Sequence, residues 1–121
     1  MQDSPKNFHK KFLGDIGEKQ AVKHLKTQGY KIIKKNFKTR IGEIDVIAQD
    51  GEEIVFIEVK TRSNLNFGAP SLAVDQKKQA KYFKVAQEYL IKYKKTQSQC
   101  RFDVIEVLNG EINHIKHAFS M

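Results

Sequence analysis

Polar and apolar positions along the chain change period several times, and each change marks a predicted element. Met1–Lys10 is polar and aperiodic and reads as a tail, so residues 1–12 are set apart from a single domain over 13–121. Asp15-Ile16-Gly17-Glu18 has the spacing of a capping box, and Ala21, Val22 and Leu25 follow at helical intervals. A helix is predicted from Asp15 to about Gln28, ended by Gly29. Tyr30–Asn36, Gly42–Ala48 and Glu53–Lys60 read as three strands, with Asp50-Gly51 as the turn between the last two. The third is the most apolar and is placed centrally. Thr61–Pro70 reads as a loop. A long helix follows, from Ser71 or Asp75 to Lys94, with Leu72, Ala80, Phe83, Ala86 and Leu90 as its core face. Arg101–Leu108, a turn at Asn109-Gly110 and a short strand over Ile112–Lys116 complete the order helix, three strands, helix, two strands.

The third strand breaks its own pattern. Ile54-Val55-Phe56-Ile57 is followed by Glu58-Val59-Lys60. An acid and a base in so apolar a run are costly unless they are paired or hold a metal. Residues two apart on a strand share a face, so Glu58 and Lys60 point the same way as Phe56, with Arg62 beyond them. The hairpin at Asp50-Gly51 makes the preceding strand an antiparallel neighbour, which brings Asp45 beside Glu58. Glu18, in line with Ala21, Val22 and Leu25, could approach the same cluster from its helix. Its other reading is a capping-box glutamate. Glu43 reads as an exposed residue or an outer partner of the site.

These residue types suit a particular chemistry. Magnesium takes oxygen ligands and keeps several waters. Asp45 and Glu58 could supply carboxylates and Val59 a backbone carbonyl. A bound ion would polarise a phosphoryl oxygen and acidify a water, and Lys60 could orient that water or steady the developing charge. The bland alternative is a structural ion pair. Asp75-Gln76-Lys77 has the same acid-x-Lys spacing, and there Asp75 reads as a helix cap.

Composition narrows the picture. The 121 residues carry 22 Lys and Arg against 14 Asp and Glu, a formal charge of +8. That surface favours a polyanionic partner, though it also serves solubility. Lys77, Lys78, Lys81, Lys84, Lys92, Lys94 and Lys95 make the long helix basic, and Lys78 is the best placed to meet a phosphate. Cys100 is alone, so neither an intrachain disulfide nor a cysteine metal cluster is available. With no apolar leader at the N-terminus and no bilayer-length apolar run, a cytoplasmic location is the default. A zinc site is not expected: His114 and His117 face opposite ways on a strand, His9 lies in the tail and His24 on a helix surface. Asp103 is expected to pair with an arginine.

Gly17-Glu18, Asn36-Phe37, Gly42-Glu43-Ile44-Asp45, Phe56 to Arg62, Phe67-Gly68, Ala73-Val74, Lys78, Tyr89-Leu90, Arg101-Phe102-Asp103 and Ala118-Phe119 together resemble the bacterial YraN family. The likeness covers about Gly14 to Phe119. It implies an α/β restriction-endonuclease-like fold of the PD-(D/E)XK superfamily, a mixed central sheet flanked by helices, similar to archaeal Holliday junction resolvases. By that resemblance Glu18, Asp45, Glu58 and Lys60 fall on the superfamily's helix glutamate, metal aspartate, metal glutamate and catalytic lysine. Ile44 stands where the superfamily label has proline, and Lys38 where many members have arginine. The implied activity is a Mg²⁺- or Mn²⁺-dependent DNA endonuclease, acting on branched or single-stranded DNA in recombination or repair. Arg62 and Lys78 would contact nucleic acid, and a homodimer would suit a branched substrate. The alternatives are a nucleic-acid-binding protein that kept the fold without cutting, and an adaptor with only an ion-pair cluster.

Overall fold

A computed structural model describes residues 5–62 and 75–120, with side chains described from residue 14 onward. The elements are α1 (Pro5–Thr27), β1 (Lys31–Lys38), β2 (Glu43–Asp50), β3 (Glu53–Arg62), α2 (Gln76–Lys92), β4 (Cys100–Leu108) and β5 (Glu111–Phe119). Their order matches the sequence expectation. The region expected as the loop Thr61–Pro70 lies outside the described residues beyond Arg62, as do Leu72 and the Phe67-Gly68 and Ala73-Val74 motifs.

Two helical expectations are corrected. α1 starts at Pro5, so residues 5–12 are helix instead of tail. Proline is tolerated in a first helical turn, where its missing N–H has no partner to lose, and no later proline interrupts the run. Asp15 and Glu18 are therefore interior to α1, which removes the capping-box role for Glu18. In α2 the fully packed stripe is Tyr82, Val85, Ala86 and Tyr89. Phe83 and Leu90 flank it, and Ala80 is exposed. The tyrosines turn the helix because they carry the larger apolar payload: Tyr89 meets Phe37 and Phe56 edge-on at 5.4 and 5.9 Å. Asp75 caps α2 as expected, accepting from Lys78 N at 2.8 Å.

The five strands form one sheet in the order β1-β2-β3-β4-β5, with β3 central. β1, β2 and β3 are successive antiparallel neighbours; β3 and β4 are parallel; β5 returns antiparallel to β4. A parallel pair needs a crossover, and α2 lies in it. β5 is longer than expected, because a register shift opposite Phe102/Val104 carries pairing on to Phe119. One face of the sheet packs on α2 through Ile47, Phe56, Phe102 and Val104. The other packs on α1, where Ala21 and Leu25 are fully buried over Val46, Val55, Ile57 and Ile105.

The sheet parts at one place. β2 and β3 are paired from Asp50↔Glu53 to Val46↔Ile57, and no further. β3 continues alongside β4 as far as Arg62↔Leu108. Asp45 and Glu58 are the next residues on the two diverging strands. α1 comes close to β3 at the same level: a Cβ at Gly17 would collide with Thr61 Oγ1. Glycine there is a packing requirement, and it sets the height of the adjoining Glu18.

Candidate functional site

Where the strands part, the backbone of one holds the acid of the other. Val59 N–H donates to Asp45 Oδ2 at 2.8 Å. This fixes the carboxylate beside that of Glu58, whose side chain is only 11% exposed. Lys60 Nζ lies 3.5 Å from Glu58 Oε1, and Lys78 Nζ reaches the same oxygen at 3.9 Å from the first turn of α2. The acids border a cavity of about 290 Å³ between β2, β3 and α2. Tyr82 and Val85 form its apolar wall, Lys78 and Lys81 its basic lip, and Ile41–Glu43 its far rim. That rim is shaped by Thr39, whose hydroxyl accepts from Ile41 N at 3.1 Å.

The electrostatics are strained in one direction. Burial, then the neighbouring Glu58 charge, pushes Asp45 up to about 7, against the relief given by the Val59 N–H. Burial also raises Glu58, and Lys60 and Lys78 offset this only in part. Lys60 is pushed down, first by burial and then by Lys78. Two adjoining carboxyls that are hard to ionise, with lysines alongside, form a site short of positive charge. A divalent cation would supply it. Among the described residues no group of three or more His, Cys, Asp or Glu is assembled for a metal. A two-carboxylate set fits magnesium, which retains water ligands, better than a metal caged by protein.

Glu18 stands apart. It lines a neighbouring cavity with Lys35, Asn36 and Val46. Its carboxyl is raised by burial and then by the charge of Asp45, and a hydrogen bond with Asn36 opposes both. So its charge is coupled to that of Asp45 from the α1 side. Sequence reasoning missed Asn36 as its partner. Lys35 pairs with Val46 and Phe37 with Ile44, so Asn36 falls opposite Asp45 on the edge strand. Its φ of 53° is left-handed, a conformation that asparagine tolerates better than most residues. The Asn36-Phe37 doublet was the available signal. Lys81 was counted among the basic residues of α2 without being singled out.

The remaining expected residues divide. Lys78 joins the acids. Arg62 lies with its Nε 3.2 Å from Glu106 Oε2, both largely buried, further along the same strands. Val59 contributes its N–H to Asp45. Glu43 is exposed on the rim, and its charge raises both Asp45 and Glu18.

Asp103 has the arginine partner expected of it, in a second polar cluster near the other end of β4. Arg101 donates to Asp103 Oδ1 at 3.0 Å, to Asp50 at 3.0 Å, to Glu53 at 2.9 Å and to the Tyr30 hydroxyl at 2.6 Å. Burial works against the Asp103 charge, but hydrogen bonds from His114, Arg101 and His117 N–H hold its carboxyl below the usual range. Burial raises the Cys100 thiol, which keeps it protonated and a poor nucleophile.

An α-β-β-β-α-β-β chain, with one parallel pair in a mixed sheet and helices on both faces, is a protein of the restriction-endonuclease-like fold. Residues 17–107 match the model of the uncharacterised protein family UPF0102, the YraN family, and the chain belongs to it. A UPF0102 protein of Caldanaerobacter subterraneus subsp. tengcongensis is 52% identical, over 94% of this chain and 99% of the relative. One from Clostridioides difficile is 50% identical, over 93% and 100%. One from Geotalea daltonii is 44% identical, over 100% and 98%. No helix among the described residues is long and apolar enough to cross a membrane.

Proposed function

We propose that the protein is a Mg²⁺- or Mn²⁺-dependent DNA endonuclease, acting on branched or single-stranded DNA in recombination or repair. What supports it above all is the partly buried Asp45–Glu58 pair with Lys60 and Lys78 at Glu58 Oε1, opening into a cavity with a basic lip. Asp45 and Glu58 would hold the ion, with the Val59 carbonyl as a further ligand. When bound, the ion supplies Lewis acidity toward a phosphoryl oxygen and acidifies a water.

The chain's own residues do the rest. Val59 N–H keeps Asp45 aimed at the split between the strands. Lys60, released from Glu58 when that carboxylate is neutralised, is free to steady the attacking water or the charge growing on the phosphate. Its depressed pKa also suits proton transfer. Lys78 and Lys81 bind the flanking phosphates, and Glu18 supports the site from the α1 side. Arg62 would reach nucleic acid only by leaving Glu106. The lone cysteine suits a reducing cytoplasm. A homodimer would place two such sites on the two strands of a branch.

The test is cleavage of labelled duplex, single-stranded and four-way-junction DNA with Mn²⁺ or Mg²⁺, using wild type, Asp45→Asn and Lys60→Met. The expected result is metal-dependent cutting by wild type, lost in both variants. No cutting by wild type, with DNA binding equal in all three, overturns the catalytic reading and leaves the non-cutting nucleic-acid binder.

A further inference from the structure

On the α1 side of the sheet, 90 residues apart in sequence, His24 and His114 meet. His24 Nε2 and His114 Nδ1 are 3.3 Å apart, with the rings nearly perpendicular at 76°. The other nitrogen of His114, Nε2, is 2.8 Å from Asp103 Oδ2. Asp103 is completely buried, and Arg101 donates to both of its carboxylate oxygens. The His114 side chain is 9% exposed. A cavity of about 300 Å³, bordered by Gln20, His24, Thr27 and Gly110, opens beside the pair.

We propose that His24 and His114 form a binding site for a borderline divalent transition cation such as Zn²⁺, Cu²⁺ or Ni²⁺, distinct from the carboxylate site and tying α1 to the edge strand β5. Three features carry it. The first is the spacing. Zinc–imidazole bonds run about 2.0–2.1 Å, so two nitrogens on a tetrahedral ion stand about 3.3–3.4 Å apart. The rings already hold that separation. The second is the carboxylate behind His114. A ligating histidine usually donates its other N–H to a carboxylate or carbonyl, which fixes the tautomer. Here Nε2–H donates to Asp103, and the lone pair of Nδ1 is turned toward His24. The third is the state of His24. Burial, then the facing His114 ring, lowers its pKa, so the imidazole is neutral and competent to ligate. On binding, its ring proton resides on Nδ1 and the Nε2 lone pair faces the ion. The proton moves between the ring nitrogens and none is lost from the protein.

The donor set determines the ion. Two neutral nitrogens suit Zn²⁺, Cu²⁺ and Ni²⁺ and offer nothing to Mg²⁺ or Ca²⁺. No third His, Cys, Asp or Glu joins them among the described residues, so water completes the coordination. Local spacing carries no sign of this site, because the two histidines become neighbours only when β5 is laid beside β4 under α1.

The experiment titrates the full chain with Zn²⁺ and with Cu²⁺, using a competing chromophoric chelator, and repeats it on His24→Ala, His24→Gln and Asp45→Asn. His24→Gln preserves bulk and can still hydrogen-bond His114, and circular dichroism checks that each variant is folded. The expected result is one nitrogen-ligated ion per wild-type chain, seen as nitrogen hyperfine structure in the Cu²⁺ spectrum, beside any ion held by the carboxylate pair. Affinity should fall at least about tenfold in both His24 variants, the smallest loss seen even for outer partners of metal ligands. It should be unchanged in Asp45→Asn, which separates this site from the carboxylate pair. Nitrogen-ligated binding that survives both His24 substitutions, or no nitrogen ligation in the wild-type Cu²⁺ spectrum, overturns the proposal.

Discussion

Asp45→Asn should make the metal-free protein more stable at pH 8, although it removes a charged residue that a lysine cluster attends. Asp45 rises from 3.8 to about 7 on folding. Between those values the folded state binds the proton that the unfolded chain has released, so stability falls as pH rises through the window, and the full penalty applies above about 7. A rise of about 3 pH units, at about 1.4 kcal/mol each, sets an upper bound of about 4 kcal/mol. Part of this is shared with Glu58, whose charge is one cause of the rise, so a gain of about 2 kcal/mol is the reasonable expectation. The asparagine oxygen can still accept from Val59 N–H, and its amide can donate to Glu58 where the Asp45 carboxyl now shares a hydrogen bond. Urea unfolding in EDTA at pH 4 and pH 8 measures it: the variant should gain at pH 8, and the gap should close at pH 4. Saturating Mn²⁺ should reverse the order, because a ligand at 100 times its Kd adds about 2.7 kcal/mol to the protein that binds it. An asparagine variant no more stable than wild type at pH 8 in EDTA would refute the view that this pair is held under electrostatic strain.

Three further outcomes are expected. Gly17→Ala should cost about 1–3 kcal/mol by overpacking α1 on Thr61, read by thermal melting; adding Thr61→Ala, which removes the colliding Oγ1, should recover part of it as a positive coupling in a double-mutant cycle. Arg101→Met should cost about 3–5 kcal/mol, seen as a lower urea midpoint, because it strands the fully buried Asp103; adding Asp103→Asn should return part of that stability. Lys78→Ala should weaken DNA binding uniformly across sequences and lower the slope of log K against log salt by about 1, measured by fluorescence anisotropy.

Most of the fold was legible because its signals are local. Alternation, the Asp50-Gly51 and Asn109-Gly110 turns and the helix-ending Gly29 each act over a few residues, and Gly29, Gly51, Asn109 and Gly110 all take positive φ. The central place of β3 followed from its apolar run. The start of α1 was not legible, because Asp15-x-x-Glu18 is as good a cap on paper as Asp75 is in fact. A cap is only a cap if the preceding chain is not already helical. The packed face of α2 differs for another reason: the stripe of Ala80, Phe83, Ala86 and Leu90 is as regular in the sequence as the one that packs, and only the ring contacts of Tyr89 with Phe37 and Phe56 and of Tyr82 with Phe119 choose between them. The pairing of Asp45 with Glu58 could be read from the hairpin register. The neighbours of Glu18 and His24 could not, since Asn36 and His114 come from other elements and depend on a left-handed residue and a strand return.

The two polar clusters share residue types, and their difference is what separates a site from a brace. Around Arg101 every carboxylate named has a cation or a directed hydrogen bond within 3.0 Å, and Asp103 is held ionised although it is fully buried. Folding has completed that cluster, and a further ion would have nothing to neutralise among its acids. At the split of β2 and β3 the signs run the other way. Both carboxyls resist ionisation, and the lysine beside them resists protonation. A purely structural ion pair would be expected to settle as the Arg101 cluster does, because nothing is gained by leaving it strained. Strain that persists at a cavity mouth marks the pair as a candidate functional site. On the proposed function the charge that relieves this strain is the metal ion's, and Lys78 and Lys81 at the cavity lip would meet the phosphates of the nucleic acid.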